Sequence, residues 1–555
     1  MVDLWIYPTQ INIIFLNNKL MIMIFDFSNF LLPYFRGFMS NSLFYVLLIN
    51  FVLICMLFAI NRRDMAAPFK KIRKHAWLVF IVIFILGSYL RFASPGCGDA
   101  SGACFYYVET AKEMLKTQHV MDLAHPKAYS LLMAIGFFFF GQNYNVVYFF
   151  NLMISSLTIF LVFLLAYVLF KREDAALFST LIYSLFPMSI IYAKLNESQT
   201  TSTFFLVLTI IVYLISLSAN KRNIYTLFFL LMVFSLHART DVSIFIPLFV
   251  LGFILNRKDI SMKELKIPVV IFLMLMIPAS YYYVFGAKLY GPSESHPYSE
   301  RHYFASLEYM LPNVQRLLSD NLIAPDFYPI VLYIFLLFSL LFFVKERGVA
   351  YMVVLAASFF LLYGVWWRTI YGDMKPYELG LQPTLAILMG YGISRAKECM
   401  GNATKNRFLL KTTTVVKYAE LLVTLFLIAL VFHVSTNVFA LEVHQKCLIE
   451  NILYLGNRHI GDNDCLLFEN VPPPSDKYFP VNTMEILLHN NYLATSLSGC
   501  GNRKAYYLYV NQTKDCLRFF GTGQPLFTSL ESNYAINVVE KKGCVILYEV
   551  GGVNS

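Results

Sequence analysis

The chain has 555 residues, of which 58% are hydrophobic and only 14% charged, and its mean hydropathy is +0.59. So little charge excludes an ordinary soluble enzyme. The formal net charge of +10 does not point to nucleic acid, because Lys and Arg sit in short clusters between apolar runs of about twenty residues, the pattern of a polytopic membrane protein.

Residues 1–42 mix apolar runs with Asn17, Asn18, Lys19 and Asp26 and fit neither a signal peptide nor a clean span. An interfacial segment or an over-long gene start would each account for them. Met65, followed by a basic segment and a span, would make a natural cytoplasmic start. The first firm span runs from Leu43 to Ile60 and leads into Asn61-Arg62-Arg63 and Lys70-Lys71-Ile72-Arg73-Lys74, which places that linker in the cytoplasm. A second span, 76–92, then runs outward to a long polar stretch, 93–145. Further helices are expected near 146–170, 175–194, 200–218, 223–236, 242–255, 267–285, 327–344, 348–367, 381–394 and 418–440. The total is about twelve spans.

Alternation then assigns 22 of the 44 Lys and Arg residues to inner loops, among them Lys171, Arg172, Lys221, Arg222, Lys345, Arg347, Arg395 and Lys397. The outer loops are expected to hold nearly all the loop carboxylates, so acid-base chemistry should face outward. Residues 441–555 are of ordinary polarity, with short alternating runs at 505–510 and 544–548, and read as a small α+β domain outside the membrane. The organisation is therefore an N-terminal extension with one span (1–64), a transmembrane catalytic domain (65–440) and an extracytoplasmic domain (441–555). Seven cysteines fall outside by this topology: Cys97, Cys104, Cys447, Cys465, Cys500, Cys516 and Cys544. Disulfides or reduced buried thiols would both fit there, and no CxxC or paired His spacing favours a metal.

The first outer loop opens with Arg91-Phe92-Ala93-Ser94-Pro95-Gly96-Cys97-Gly98-Asp99, a glycine-rich turn presenting a carboxylate just beyond a span. The next segment, 105–116, sets Val108, Ala111 and Leu115 on one face and Glu109, Lys112, Glu113 and Lys116 on another, as a short amphipathic helix on the membrane surface does. His125-Pro126-Lys127 opens an apolar stretch, 128–140, too short to span and expected to be interfacial. Other outward ends add Glu197, the run His237-Ala238-Arg239-Thr240-Asp241, and Arg368 with Lys375. Cations in such a set suit a phosphate, and a carboxylate beside an acceptor hydroxyl suits a general base. Charges also gather at span ends simply because they must leave the hydrocarbon.

A first-loop Asp, the Tyr-x-x-x-Ala helix from Tyr107 to Ala111, a His-Pro, an apolar stretch closing in Phe-Gly-x-Asn at 140–143, then spans with Pro187 and an outer acid follow one another in an order that resembles the GT-C membrane glycosyltransferases. The branch it is most similar to is the protein O-mannosyltransferase and aminoarabinose transferase-like group, over roughly residues 76–400. The resemblance implies an α-helical GT-C fold and a polyprenyl (dolichyl or undecaprenyl) phosphate sugar as donor. It also implies transfer to a protein, glycan or lipid acceptor on the extracytoplasmic side of the cell membrane. It implies Asp99 as base or acceptor-orienting group, Glu197 as a second outer acid and Lys127 as a basic residue beside the His-Pro; with the span-end residues read above, the candidate substrate-binding set is Tyr107, His125, Lys127, His237, Arg239, Asp241, Arg368 and Lys375. Asp99 lies farther before Tyr107 than in relatives. No Asp-x-Asp occurs in the first loop, so a divalent metal is possible but not favoured, and no cofactor is certain. A lipid-linked oligosaccharide ligase or polymerase is the alternative within this class; a transporter or flippase is the alternative outside it, disfavoured by span interiors almost free of charge.

Overall fold

The computed structural model describes residues 41–93, 102–120, 126–142, 144–194, 198–258, 260–284, 315, 330–365, 380–405, 458–459, 464–467, 493–494, 504–510, 534–542 and 545–553. The expected span at 418–440 lies outside them.

The helices follow the hydropathy pattern closely. They are α1 (Asn41–Ile60), α2 (Lys74–Ala93), α3 (Gly102–Thr117), α4 (Ala128–Phe140), α5 (Tyr144–Phe170), α6 (Glu173–Leu185), α7 (Pro187–Ile191), α8 (Ser198–Ala219), α9 (Arg222–Ala238), α10 (Ile246–Leu255), α11 (Met262–Val284), α12 (Ile330–Leu340), α13 (Arg347–Val365) and α14 (Gln382–Lys405). Among the described residues four helices, α1, α2, α5 and α8, are long and apolar enough to cross a membrane, and the bent pair α6–α7 makes a fifth. α1 and α2 leave most of their apolar surface on the outside of the bundle, whereas two thirds of α5 and α8 is buried within it, so the latter pair forms the bundle centre. α9 packs on α8, and α14 lies along α6 and α12.

Ion pairs collect the helix ends on one side. Asp64 bonds Lys221 (2.8 Å), Arg73 bonds Glu173 (2.6 Å), Arg172 bonds Glu398 (2.6 Å), Arg222 faces Glu264 (3.2 Å), and Arg395 bonds Glu346 and Glu398. Loops that alternation assigns to one face are thus brought together at a single basic end of the bundle. The carboxylates differ from expectation, since Asp64, Glu173, Asp174, Glu264, Glu346 and Glu398 all stand at this end. The physical reason is that Lys and Arg crowded at one end need counter-charges, and Glu173 and Asp174 also occupy the first turn of α6, where the helix dipole favours acids.

Two segments of the first outer loop are helical. α3 turns Val108, Ala111 and Met114 into the core and leaves Glu109 exposed in an ion pair with Lys112 (2.7 Å), as its amphipathic spacing predicts. α4 corrects the interfacial reading of 128–140: nearly every residue from Ala128 to Phe137 is buried, packed against α3, α5 and α9. An apolar run too short to span can still be covered by neighbouring helices, and only its last turn, Phe138 to Phe140, is exposed. Gly141 ends it at φ 83°, a left-handed conformation that glycine adopts without strain.

Beyond the helices lies a five-stranded sheet: β1 (Cys465–Leu467), β2 (Leu493–Ala494), β3 (Ala505–Val510), β4 (Tyr534–Lys542) and β5 (Val545–Val553), in the order β2-β1-β3-β5-β4. β1 runs parallel to β2 and β3, while β5 runs antiparallel to β3, with Tyr507 opposite Tyr548, and to β4, with Asn537 opposite Glu549. Cys465 is disulfide-bonded, whereas Cys55 and Cys399 are free thiols.

Candidate functional site

The end of the bundle opposite the basic one is built by the C-terminal ends of α2, α7 and α9, the N-terminal ends of α1 and α8, and the loop helix α3. Its chemistry is polar and largely buried. Tyr107 of α3 places its hydroxyl 3.3 Å from the Ser198 hydroxyl at the start of α8 and its ring edge-on to Tyr129, with centroids 5.2 Å apart. Asn151 of α5 donates to the Tyr129 hydroxyl at 2.8 Å. One chain of hydrogen bonds and an edge-to-face ring contact therefore runs from α8 through α3 and α4 to α5, and it holds the loop helix on the bundle. Ser198 begins a run of six consecutive polar residues, Ser198 to Thr203, all buried. A buried polar run in a membrane helix needs partners or water, and Thr200 finds one in the Tyr192 carbonyl (3.1 Å) while Thr203 bonds Gln199 within the helix.

Several buried polar atoms find no partner among the described residues. Asn50 in the middle of α1, Ser88 near the end of α2, Glu113 Oε1 of α3, Ser130 in the first turn of α4, and Gln199 Oε1 and Thr201 Oγ1 at the start of α8 make no hydrogen bond there. Buried polar groups cost free energy unless hydrogen-bonded. Apart from mid-span Asn50, these lie toward the end opposite the basic one, where a polar ligand or water would be stabilised; the Tyr351 hydroxyl, likewise without a partner among the described residues, lies toward the basic end.

The expected site residues divide three ways. Asp99, His125, Glu197, Arg368 and Lys375 lie outside the described residues. Tyr107, Lys127, His237 and Arg239 are gathered into the elements of this end. Lys127 caps the start of α4 and is fully buried, as is His237 in the last turn of α9; Arg239, just beyond α9, is half-buried with extended backbone and closes the helix through its N–H to the Ser235 carbonyl (2.9 Å). Asp241 falls in the 3-10 turn Thr240–Phe245 that comes next. Tyr107 is buried, with its hydroxyl beside that of Ser198. A buried lysine is the more telling group, because a cationic side chain removed from water is retained only where something negative or strongly polar compensates it. Among the described residues no three His, Cys, Asp or Glu side chains gather to hold a metal ion.

Among the described residues the largest fully buried side chain is one the sequence did not single out. Arg91, which in the sequence reads only as the start of the outer loop, lies wholly inside the protein and hydrogen-bonds Ser155, Gly87, Ser184, Tyr183 and Ser189. Its signal was its place one turn before the end of an apolar helix, where an arginine would ordinarily snorkel outward. Lys194 likewise reads in the sequence only as a flank of Glu197; its ammonium donates to the Phe92 carbonyl at 2.7 Å and lies over the Phe92 ring.

Residues 124–282 match the family model described as dolichyl-phosphate-mannose-protein mannosyltransferase. The resemblance to GT-C membrane glycosyltransferases is borne out over that segment, which runs from the start of α4 to the end of α11 and contains Lys127, His237 and Arg239. No curated protein matches the sequence. Solved structures with some likeness include the Archaeoglobus fulgidus oligosaccharyltransferase in its apo form, 12% identical, covering 84% of this chain and 73% of the other, with a TM-score of 0.49. The same enzyme tethered to an acceptor peptide with an NVT sequon is 11% identical and covers 85% and 73%, with a TM-score of 0.48. Its complex with an inhibitory peptide and a dolichol-phosphate is 10% identical and covers 87% and 74%, also with a TM-score of 0.48. At TM-scores under 0.5 these likenesses carry no weight for the function of this chain.

Proposed function

We propose that this protein is an integral membrane glycosyltransferase that moves a sugar from a polyprenyl phosphate to an acceptor hydroxyl on the extracytoplasmic side. The observation that carries the reading is the buried Lys127 at the start of α4, inside the segment that matches the mannosyltransferase model and at the end of the bundle away from the basic loops. A lipid phosphate is an anion that must reach the membrane edge of the site, and a desolvated ammonium is the group that neutralises it as it leaves.

In the proposed reaction the acceptor oxygen attacks the anomeric carbon while the bond from that carbon to the phosphate oxygen breaks with inversion. The electron pair leaves with the lipid phosphate, whose added charge Lys127 and Arg239 offset. The acceptor proton passes to a carboxylate, Asp99 in this proposal, with Glu197 orienting the acceptor. Tyr107, His125, His237, Asp241, Arg368 and Lys375 complete the proposed set around the sugar and phosphate. The family description names dolichyl-phosphate mannose and a protein acceptor, which makes a monosaccharide donor and a protein acceptor the first pair to try.

The test is transfer of radiolabelled sugar from synthetic polyprenyl-phosphate monosaccharides by membranes holding wild type, Asp99→Asn or Lys127→Met. Transfer by the wild type, lost in Asp99→Asn and reduced by about a hundredfold or more in Lys127→Met, is the expected result. Wild-type rates in a folded Asp99→Asn would remove Asp99 as the base, and no transfer from any lipid-linked sugar would remove the enzyme class.

A further inference from the structure

Within a membrane, a broken helix leaves carbonyls that nothing in the lipid can satisfy. α6 and α7 form such a break, bent by 69°. Phe186 between them is extended (φ −61°, ψ 121°) and Pro187 opens α7. Proline has no N–H, and the carbonyl it deprives is that of Tyr183, four residues earlier. That carbonyl receives the Arg91 Nη2 at 3.3 Å and the Ser189 hydroxyl at 3.0 Å, as well as the Phe186 N–H at 3.3 Å. Arg91 also donates from Nη1 to the Ser184 carbonyl and the Gly87 carbonyl (3.0 Å each), from Nη2 to the Ser189 hydroxyl (2.8 Å) and from Nε to the Ser155 hydroxyl (2.9 Å).

All five guanidinium N–H groups are therefore used, on acceptors from α2, α5, α6 and α7, and every acceptor is neutral. The charge is compensated by the carbonyl end of α6, where the helix dipole favours a cation. Gly87 makes the approach feasible, since a Cβ there would lie 2.6 Å from Ser184 Cβ. One turn further along, Lys194 ties the far end of the bent segment to the Phe92 carbonyl. The two cations thus fasten the last turn of α2 to both ends of the bend. In sequence, Asp99 follows Ala93 by six residues and Glu197 follows Lys194 by three.

We infer that Arg91 is a positioning residue: its five-way fork sets the angle of the α6–α7 break and locks the end of α2 to it, so that the chain segments leading to Asp99 and Glu197 emerge from one rigid root. The effect on rate rests on the proposed glycosyl transfer; the effect on structure does not. A fork is required, because a lysine ammonium has three donors and no planar spread to reach four elements.

The experiment uses the purified full-length protein in lipid nanodiscs, comparing wild type with Arg91→Gln, Arg91→Lys, Ser155→Ala and Ser189→Ala. Hydrogen exchange by mass spectrometry reads the segment 183–194 against 203–216 of α8, and kinetics with a lipid-linked sugar separate kcat from KM. The expected result is faster exchange confined to 183–194. With it, kcat should fall about tenfold to a hundredfold, the scale of a small misplacement of reacting groups, while KM for the lipid donor holds within about twofold. Arg91→Lys should behave as Arg91→Gln does, and the two serine variants, which remove one acceptor each and keep the fork, should show the same pattern more weakly. They carry the test if the arginine variants do not fold. Wild-type exchange at 183–194 in a folded Arg91→Gln would overturn the inference, as would full recovery of kcat by Arg91→Lys, which would mean that charge alone suffices. If no variant or wild type transfers sugar, the exchange result still decides the pin while the functional reading falls.

Discussion

Substituting Gly390 by alanine should open the interface that carries α6 to its break. α14 crosses α6 at this residue, and a Cβ on Gly390 would lie 2.3 Å from Ser179 Oγ, 2.4 Å from Ser179 N and 2.7 Å from Ser179 Cα. Ordinary contact begins at 3.4 Å, so the helices must separate by about 1 Å, and two of the three obstructing atoms are backbone that no rotamer can move. Overpacking of this kind costs about 1–3 kcal/mol, and the upper figure applies where backbone blocks relief. The apparent melting midpoint in detergent, taken at one scan rate because unfolding of a membrane protein need not be reversible, should fall by about 3 °C, since about 3 kcal/mol is set against an unfolding entropy of about 2.1 cal/mol/K per residue over 555 residues. Gly136→Ala is the control, because its Cβ would meet Val146 and Phe150 at 3.3 and 3.6 Å, and it should shift the midpoint by less than about 1 °C. Removing the Ser179 hydroxyl in a Ser179→Ala, Gly390→Ala double variant should not restore stability. A Gly390→Ala protein that melts with the wild type, or a double variant that recovers, would refute the close-packing argument.

Tyr107→Phe, which loses the hydrogen bond to Ser198, should cost about 1 kcal/mol, whereas Tyr107→Ala also removes the ring from Tyr129 and should cost about 3–5 kcal/mol; equal melting midpoints for the two would refute the packing of the ring on Tyr129. At the basic end, burial pushes the Asp174 and Glu173 carboxyls up, but hydrogen bonds from Ser394 and Arg172, and from Arg73, outweigh it and leave both below their ordinary values. Hydrogen bonds from Arg172 and Arg395 lower Glu398 in the same way. A carboxyl depressed in the folded state adds stability that is full above its unfolded value of about 4 and is lost as pH falls through the lower folded value. Melting midpoints should therefore drop from about pH 4 downward, and less so in Arg172→Met, which removes a shared partner; an acid limb as steep in that variant as in wild type would count against the network. Finally, alkylation of the protein unfolded in detergent without reductant should label Cys55 and Cys399 but spare Cys465 until reduction, and a labelled Cys465 in the unreduced protein would contradict its disulfide.

Much of this organisation was legible in the sequence because membrane insertion is governed by local quantities. Apolar length located the spans, and alternation grouped the basic loops that the ion pairs Arg73–Glu173 and Arg172–Glu398 bring to one end. Helical periodicity placed Val108 and Ala111 on the buried face of α3 and Glu109 on its exposed face. The order of short motifs supported a family resemblance that the match over 124–282 sustains. What the sequence could not reveal depends on partners remote along the chain. Nothing around residues 128–140 distinguishes a helix lying at an interface from one covered by α3, α5 and α9. The carboxylates at 173 and 174 look like surface charges until Ser394 and Arg73 are beside them. Arg91 is the sharpest case: its acceptors Ser155, Ser184 and Ser189 stand 64, 93 and 98 residues away, and only the packing of α2 against the break at Pro187 turns an arginine near the end of an apolar run into the buried fork that closes it.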